Sequence, residues 1–214
     1  MEMSLLLVLA IGFVLGIKHA LEPDHIIAVS TIASQSKKIW KSSLAGVFWG
    51  IGHTLTLLVF GVILILLKNE IPEAWAMSLE FLVGIMLVYL GITTIFSWKQ
   101  TERHDHTGRA TYLKSMLVGI VHGLAGSAAM VLLTISTIDE AWQGAIYIII
   151  FGVGTCIGML LFTTILSIPF VTSSSSKKVN RLLIRLTGVI STVFGIYYMY
   201  NLGINEELFS VWFG

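Results

Sequence analysis

Six long apolar segments, separated by short polar stretches, dominate the hydrophobic pattern of the chain. They cover residues 3–33, 43–67, 75–98, 114–137, 142–171 and 183–203. Each is near the roughly 20 residues that a helix needs to cross a bilayer. We expect all six to be α-helices, because the lipid interior offers no hydrogen-bond partner to an exposed backbone. The pattern therefore predicts an all-α, polytopic membrane protein with six transmembrane helices.

The composition agrees with this pattern. Of the 214 residues, 56% are hydrophobic and 12% are charged, whereas an ordinary soluble domain carries about 25% charged residues. This excludes a soluble enzyme, a nucleic-acid-binding module and a secreted disulfide scaffold. The short connections leave no room for a catalytic domain, and the sequence has no Gly-rich nucleotide-binding loop. We therefore expect a protein that is not an enzyme and that has the lipid bilayer, and no nucleic acid, as a partner.

Lysine and arginine are distributed very unevenly among the connections. Eleven of the 13 fall in three connections, against Lys68 on the opposite side and Lys18 inside a span. The eleven are Lys37, Lys38, Lys41, Lys99, Arg103, Arg109, Lys114, Lys177, Lys178, Arg181 and Arg185. Because basic connections stay in the cytoplasm, we predict a multi-pass protein of the cell (cytoplasmic) membrane with both termini outside. The first segment has no basic residue before it, so we expect it to be retained and not removed as a signal peptide.

The two halves of the chain resemble each other at a separation of about 103 residues. Residues 15–21 align with residues 118–124, and this alignment places His19 opposite His122. Further glycine-containing pairs follow in the same order: Gly50-Ile51-Gly52 with Gly152-Val153-Gly154, Gly84 with Gly188, and Gly91-Ile92 with Gly195-Ile196.

Each half contains three spans, so the two halves must enter the membrane from opposite sides. This predicts two inverted three-helix repeats, residues 1–102 and residues 103–214, within one integral membrane domain. In secondary transporters with inverted repeats, the substrate site lies near the bilayer midplane at the repeat interface. The alternative is a general similarity among glycine-rich membrane helices.

A dense group of ionisable residues lies inside the first span, in the sequence His19-Ala20-Leu21-Glu22-Pro23-Asp24-His25-Ile26. Ionisable groups at this depth are costly and usually mark ion pathways, proton relays or paired networks. Pro23 removes a backbone donor and clashes with the preceding turn, so we expect the helix to break or kink near residues 20–23. Such a break lets His19 and His25 turn toward one point. The alternatives are a packing kink and, for Glu22, a salt bridge to Lys18.

Two other spans each contribute a histidine with small residues beside it. His53 shares a helical face with Gly46 and Gly50, and small residues likewise flank His122. Small residues at this spacing let helices approach closely, so we expect both histidines to face the interior. A lone buried histidine is as often satisfied by a backbone carbonyl. The repeat, however, brings His19 and His122 toward a common axis, which favours a shared site.

The predicted site suits a divalent transition metal. We expect its ligands to be His19, Asp24, His25, His53 and His122, with Glu22, Thr54 and Ser127 as further candidates. Imidazole nitrogens with one or two carboxylates bind borderline ions such as Ni²⁺, Co²⁺ and Zn²⁺, whereas Mg²⁺ and Ca²⁺ require more oxygen ligands. We predict no catalytic residue and no resident cofactor, because the metal ion is the transported substrate.

At these residues the sequence resembles the nickel/cobalt transporter family, in particular its shorter, six-span, urease-accessory-type nickel permeases. The first motif of that family, His-Ala-x-Asp-Ala-Asp-His-Ile, corresponds to residues 19–26, with Glu22 and Pro23 in place of the usual Asp-Ala. Its second motif, Gly-His-Ser/Thr in the next span, matches Gly52-His53-Thr54. The resemblance covers essentially all spans and implies transport of Ni²⁺ or Co²⁺. The acidic Asp-Thr-containing motif of the longer members is absent here.

We therefore expect a permease that takes up Ni²⁺ or Co²⁺ without ATP. Efflux is the first alternative, although exporters of the family tend to carry long histidine-rich loops and this chain offers only His104-Asp105-His106. A thiol or electron carrier would need a cysteine pair, and Cys156 is the single cysteine. An intramembrane metalloenzyme is a further alternative, against which the missing His-Glu-x-x-His motif argues. Assembly into a homo-oligomer stays open.

Overall fold

The computed structural model describes residues 5–67, 72–97, 108–137 and 141–213, and at residues 67, 97, 108–110, 126–137 and 141 it describes the backbone alone. This part of the chain is helical apart from short turns, and no β-strand occurs in it. Its α-helices are α1 (Leu5–His19), α2 (Pro23–Ala33), α3 (Ile39–Leu67), α4 (Glu73–Ser97), α5 (Gly108–Thr137), α6 (Ala141–Thr172), α7 (Lys177–Tyr200) and α8 (Leu208–Phe213). The predicted all-α class is confirmed.

Most of these helices are membrane spans. In the described ranges, α3, α4, α6 and α7 are long and apolar enough to cross a bilayer, and α1 with α2 forms a fifth, bent span. α5 is 30 residues long and packs along α3, where the sequence places the remaining span. Large apolar side chains such as Leu6, Tyr89 and Ile190 are exposed on the outer surface, as lipid contact requires. The chain is therefore a multi-pass membrane protein, and its helices agree approximately with six spans.

The sixth span begins earlier than the apolar pattern predicts. We expected it to start at residue 183 after a flexible connection over residues 172–182, but α7 already begins at Lys177. The connection shrinks to a 3₁₀ turn at Ser173–Ser175. Asn180 stabilises this turn, because its Nδ2 donates hydrogen bonds to the Phe170 carbonyl (2.8 Å) and to Ser173 Oγ (3.1 Å). The basic residues that follow the serines thus form the first turns of a helix, which hydropathy alone does not detect.

The first span breaks where Pro23 predicts. α1 ends at His19, Pro23 begins α2, and the two helices are bent by 57°. Glu22 stands between them in an extended conformation (φ −62°, ψ 144°), because proline disfavours the helical conformation of the residue that precedes it. Asp24 lies in the first turn of α2. The expected break is confirmed.

Glycines bring the helices of the two halves into close contact in matching pairs. Gly16 in α1 lies against the backbone of Phe151 in α6, and Gly119 in α5 lies against the backbone of Trp49 in α3. At either glycine a Cβ would collide with a carbonyl oxygen. Because Gly16 aligns with Gly119 in the repeat, the same contact is formed twice, once by each half.

The order of these contacts also fixes the helix directions. α1 is parallel to α6 and α3 to α5, whereas α3 is antiparallel to α6 and α4 to α7. Residue numbers rise together in the contacts of α1 with α6 (Gly12–Tyr147, Gly16–Phe151) and of α5 with α3 (Gly119–Trp49, Gly123–Thr56). They run in opposite directions in the contacts of α3 with α6 (Gly46–Thr163, Thr54–Gly152) and of α4 with α7 (Gly84–Met199, Gly91–Gly188). Each helix of the first half therefore runs opposite to its counterpart in the second. Inverted repeats require this arrangement; the two inverted repeats and their division at residues 102 and 103 stay predictions.

The apolar pattern did not predict the short helix α8, which returns to the start of α4. Trp212 Nε1 donates a hydrogen bond to Ser78 Oγ (3.0 Å), and the ring of Phe209 packs edge-on against Phe81 at 5.9 Å. α8 therefore lies at the same membrane face as the N-terminal end of α4.

The Gly119 contact yields a test of this packing. Gly119→Leu should lower the free energy of unfolding by roughly 1–3 kcal/mol, because the new side chain overpacks the interface with Trp49. The measurement is thermal unfolding of the purified protein in detergent. The control is Leu117→Val on the exposed face of the same helix, and equal melting curves for the two variants would contradict the close approach of α3 and α5.

Candidate metal centre

The candidate site lies halfway along the helices that form it. His53 is the middle residue of the 29-residue helix α3, and His122 lies at the centre of the 30-residue helix α5. The break between α1 and α2 supplies His19, Asp24 and His25 to the same place. At a rise of 1.5 Å per residue, each histidine of α3 and α5 is about 20 Å from the nearer helix end, which corresponds to the middle of a bilayer.

One group of nitrogens joins the broken span to α3. The ring centroids of His19 and His25 are 4.4 Å apart, and His19 Nε2 lies 3.1 Å from His53 Nε2. The structure therefore turns His19 and His25 toward one point, as the break predicts. Two facing imidazole nitrogens at this distance must share a proton or a common electrophile, since two unprotonated nitrogens repel each other.

A second group joins the same span to α5. Asp24 Oδ1 lies 3.1 Å from His25 Nδ1, and Asp24 Oδ2 lies 3.5 Å from His122 Nε2. His25 belongs to both groups, because ligand atoms of His19, His25 and His53 lie within 4.8 Å of one another, and so do those of Asp24, His25 and His122. All five predicted ligands thus form one continuous cluster.

Glu22 contacts this cluster from the outside. Its Oε2 lies 3.0 Å from His19 Nδ1, so it pairs with His19 and not with Lys18, the alternative that the sequence left open. A carboxylate on one imidazole nitrogen fixes the ring and makes the other nitrogen a better metal ligand. Glu22 occupies this orienting position for His19, and Asp24 occupies it for His25.

Two aromatic residues that belong to neither histidine motif enclose the histidines. The fully buried indole of Trp49 stacks on His53 at 5.0 Å and contacts the rings of His25 (4.7 Å) and His122 (5.2 Å). Phe151 contacts His19 at 5.3 Å. Trp49 lies one helical turn before His53, so its position on the same face was a usable signal.

The buried nitrogens of the cluster fit a metal ion. Within the described ranges, His25 Nε2, His53 Nδ1 and His122 Nδ1 are buried without a hydrogen-bond partner. Such atoms are costly in a protein interior. With metal–nitrogen bonds of about 2.1 Å, two ligands at a right angle are about 3.0 Å apart, close to the distance between His19 Nε2 and His53 Nε2. The donor set of imidazoles and one or two carboxylates suits a divalent transition metal.

Thr54, one of the further candidates, lies away from this cluster. Thr54 Oγ1 donates a hydrogen bond to the Gly50 carbonyl (2.8 Å) and lies beside α6, 4.0 Å from Cys156 Sγ. The side chain of Ser127 and the sequence His104-Asp105-His106 lie outside the described residues. The structure thus brings Thr54 to the α3–α6 contact and not to the histidines.

Comparison with known proteins places the chain in a family. It is 58% identical to the urease accessory protein UreH of Bacillus sp. (strain TB-90), over 99% of this chain and 98% of that protein. The chain belongs to the UreH family. Its identity to the "Putative nickel/cobalt efflux system MJ1092" of Methanocaldococcus jannaschii is 28%, over 87% of this chain and 89% of that protein. The resemblance to nickel/cobalt transporters that the two histidine motifs indicate is thereby confirmed.

Two further matches cover part of this chain or part of the matching protein. The chloroplast protein FOR GROWTH AND FERTILITY 1 of Arabidopsis thaliana is 29% identical over 85% of this chain, which spans 55% of that protein. The family model described as the cytochrome c biogenesis protein transmembrane region matches residues 79–197. That match includes His122 but neither the broken first span nor His53. No solved structure matches the chain.

The cluster predicts which substitutions abolish metal binding. His53→Ala should weaken Ni²⁺ or Co²⁺ binding to the purified protein at least about 100-fold, because it removes a ligand from the centre of the site. Isothermal titration calorimetry in detergent measures the affinity. Thr54→Val, one residue away, is the matched control and should bind like the unmodified protein; a similar loss in both variants would refute the arrangement.

Glu22→Gln tests the orienting contact. It removes the charge that holds His19 Nδ1 but leaves every imidazole in place, so the metal affinity should fall by about 10–100-fold and not vanish. Glu22→Asp should recover part of the affinity. If Glu22→Gln binds metal as well as the unmodified protein does, Glu22 has no orienting role.

Proposed function

We propose that the protein is a secondary transporter that moves Ni²⁺ or Co²⁺ across the cytoplasmic membrane through the histidine–aspartate cluster. The observation that supports this most directly is the position of four histidines and Asp24 at mid-span, with buried imidazole nitrogens that lack partners. A structural cluster would satisfy its own nitrogens, whereas a site for a passing ion has to leave them available.

The proposed binding step exchanges water for protein ligands. A hydrated divalent ion enters beside Glu22 and Asp24, whose side chains are 52% and 19% exposed. It then gives up water for His19, His25 and His53, which are 12%, 2% and 0% exposed. Asp24 supplies negative charge next to the ion, and the aromatic rings exclude water from the opposite side. His122 completes the site or accepts the ion as it moves on.

The helix arrangement supports alternating access. α3 and α5 pack together through Gly119 and Trp49, and α1 and α6 through Gly16 and Phe151. Trp49 packs on His25, His53 and His122, whereas Glu22, at the break, is 52% exposed, so we propose that this conformation admits the ion at the break and is closed at Trp49. Rocking of the two inverted halves would separate α3 from α5 and open the other side. Protonation of released histidines then helps the ion to leave.

Uptake is the direction that we propose. In the orientation that the basic connections predict, with both termini outside, an ion that enters from the outside is attracted toward the cluster by the intramembrane carboxylates. Efflux is the second candidate, because one relative is named as a nickel/cobalt efflux system. The proposal does not include thiol chemistry, because the chain has the single cysteine Cys156.

Transport is testable in vesicles. Proteoliposomes that contain the purified protein should accumulate Ni²⁺ or Co²⁺ on a trapped fluorescent chelator, and His25→Ala should reduce the initial rate at least about 100-fold, in proportion to the lost affinity. Cys156→Ser should transport normally. Rates no higher than those of empty liposomes would overturn the proposed function. Loss of transport in Cys156→Ser would instead indicate a thiol-dependent function.

A further inference from the structure

A carboxyl group outside the metal cluster occupies the inward face of α4. Glu80 lies seven residues into the helix, and Gly84, Leu87 and Gly91 continue the same face toward the centre of the membrane. Leu87 is fully buried, and both glycines contact α7. Glu80 therefore belongs to the packed side of a span and not to its lipid-facing side. An ionisable residue in such a position is a functional candidate in its own right.

Glu80 has a defined partner in largely apolar surroundings. Tyr198 in α7 donates a hydrogen bond to Glu80 Oε2 (3.3 Å), and its ring stacks on Phe194 at 6.0 Å. Leu79 and Val83 pack into the same core as Tyr198. This hydrogen bond is compatible with either protonation state of the carboxyl group, because a neutral carboxyl still accepts through one of its oxygens.

The other charged groups that face Glu80 come from the metal cluster and from the turn after α7. Asp24 and Glu22, at the break, and Glu206, after α7, all lie within Coulombic range of the Glu80 carboxyl. On α5, which also packs against α4, His122 is 3.5 Å from Asp24. An ion that binds at Asp24 therefore changes the electrostatic potential at Glu80, although it does not touch Glu80.

Glu80 also breaks the internal symmetry of the chain. The register that aligns Gly84 with Gly188 places Ile184 opposite Glu80, and Ile184 is 3% exposed. The second half thus buries a hydrocarbon side chain where the first half carries a carboxyl group. Packing at this position does not require a charge, so Glu80 needs another explanation.

We propose that Glu80 is a proton site linked to the metal centre, so that metal binding and Glu80 protonation oppose each other. This inference rests on the proposed function. When M²⁺ binds at Asp24 and the histidines, the neutral carboxyl of Glu80 releases H⁺ to water and becomes a carboxylate, which the added positive charge stabilises. When the ion leaves, Glu80 takes up H⁺ again. By linkage, a bound proton at Glu80 weakens metal binding by the same factor.

The linkage has a consequence for the driving force. With the Glu80 proton alone counted, one cycle carries two positive charges with the metal and one proton in the opposite direction, so a net single positive charge moves with the metal; each histidine that also takes up a proton on release lowers this net charge by one. A membrane potential that is negative inside therefore still drives the ion inward. A proton gradient that is acidic outside opposes uptake at the same time.

Proton release on metal binding tests this proposal. The purified protein is titrated with NiCl₂ in weakly buffered detergent solution between pH 5 and 7.5, with a pH indicator that reports protons released per metal bound. We expect Glu80→Gln to bind the metal with unchanged stoichiometry and to release up to one proton fewer per ion over part of this range. Tyr198→Phe should shift the pH at which this difference is largest. Glu73→Gln, at the exposed start of α4, is the control and should release protons like the unmodified protein.

The outcomes separate the two proposals. Identical proton release by Glu80→Gln and the unmodified protein across the whole range overturns the proton site and leaves metal transport intact. Absence of Ni²⁺ and Co²⁺ binding by the unmodified protein overturns the proposed function itself. If Glu80→Gln fails to fold, Glu80→Asp replaces it, and proton release with an unchanged pH profile in that variant contradicts the proposal.

Discussion

The break that Pro23 introduces in the first span determines the rest of the site. A continuous helix would carry His19 and His25 on different sides, and the charge of Asp24 would cost about 2.5–3.5 kcal/mol at its centre with no partner to offset it. The 57° bend brings all three side chains into one cluster. His53 of α3 and His122 of α5 complete the cluster, so one backbone break brings together residues from three separate spans.

This convergence requires helices that approach more closely than large side chains permit. Gly119 lies against the backbone of Trp49 and Gly16 against that of Phe151. The two aromatic residues next to these contacts are the ones that enclose His122 and His19, at 5.2 and 5.3 Å. These glycines therefore also position the site: Gly119 lets Trp49 reach His122, and Gly16 lets Phe151 reach His19. Loss of either glycine would move a wall of the site, and the effect would not be confined to helix packing.

The sequence predicted those features that depend on local chemistry. Proline geometry placed the break, and the glycine–histidine spacing placed His53 and His122 in the interior. Contacts between distant helices were not predicted. The spacing of Trp49 and His53 shows that they share a face of α3, but the contacts of Trp49 with His25 and His122 depend on how α2 and α5 pack against α3. The start of α7 escaped for another reason, because Lys177 and its basic neighbours lower the apolar character of turns that are nevertheless helical. Thr54 was a candidate through its motif alone; its hydroxyl donates to the Gly50 carbonyl of its own helix, and its side chain packs against α6 beside Gly152 and Cys156.

The two halves of the chain pack their helices through matching glycines but differ in their ionisable residues. In the proposed function, this difference makes the two sides of the site unequal for an ion. The described intramembrane carboxyl groups, Glu22, Asp24 and Glu80, all belong to the first half, and the register of the repeat puts Ile184 opposite Glu80. A symmetric pair of units would present the same potential to an ion from both sides of the membrane. Under the proposed uptake, a cation passes these acidic groups before it reaches the histidines, and Trp49, which packs on His25, His53 and His122, has to move before the ion can leave. Because Trp49 lies at the Gly119 contact, the α3–α5 interface is then the place where that movement occurs.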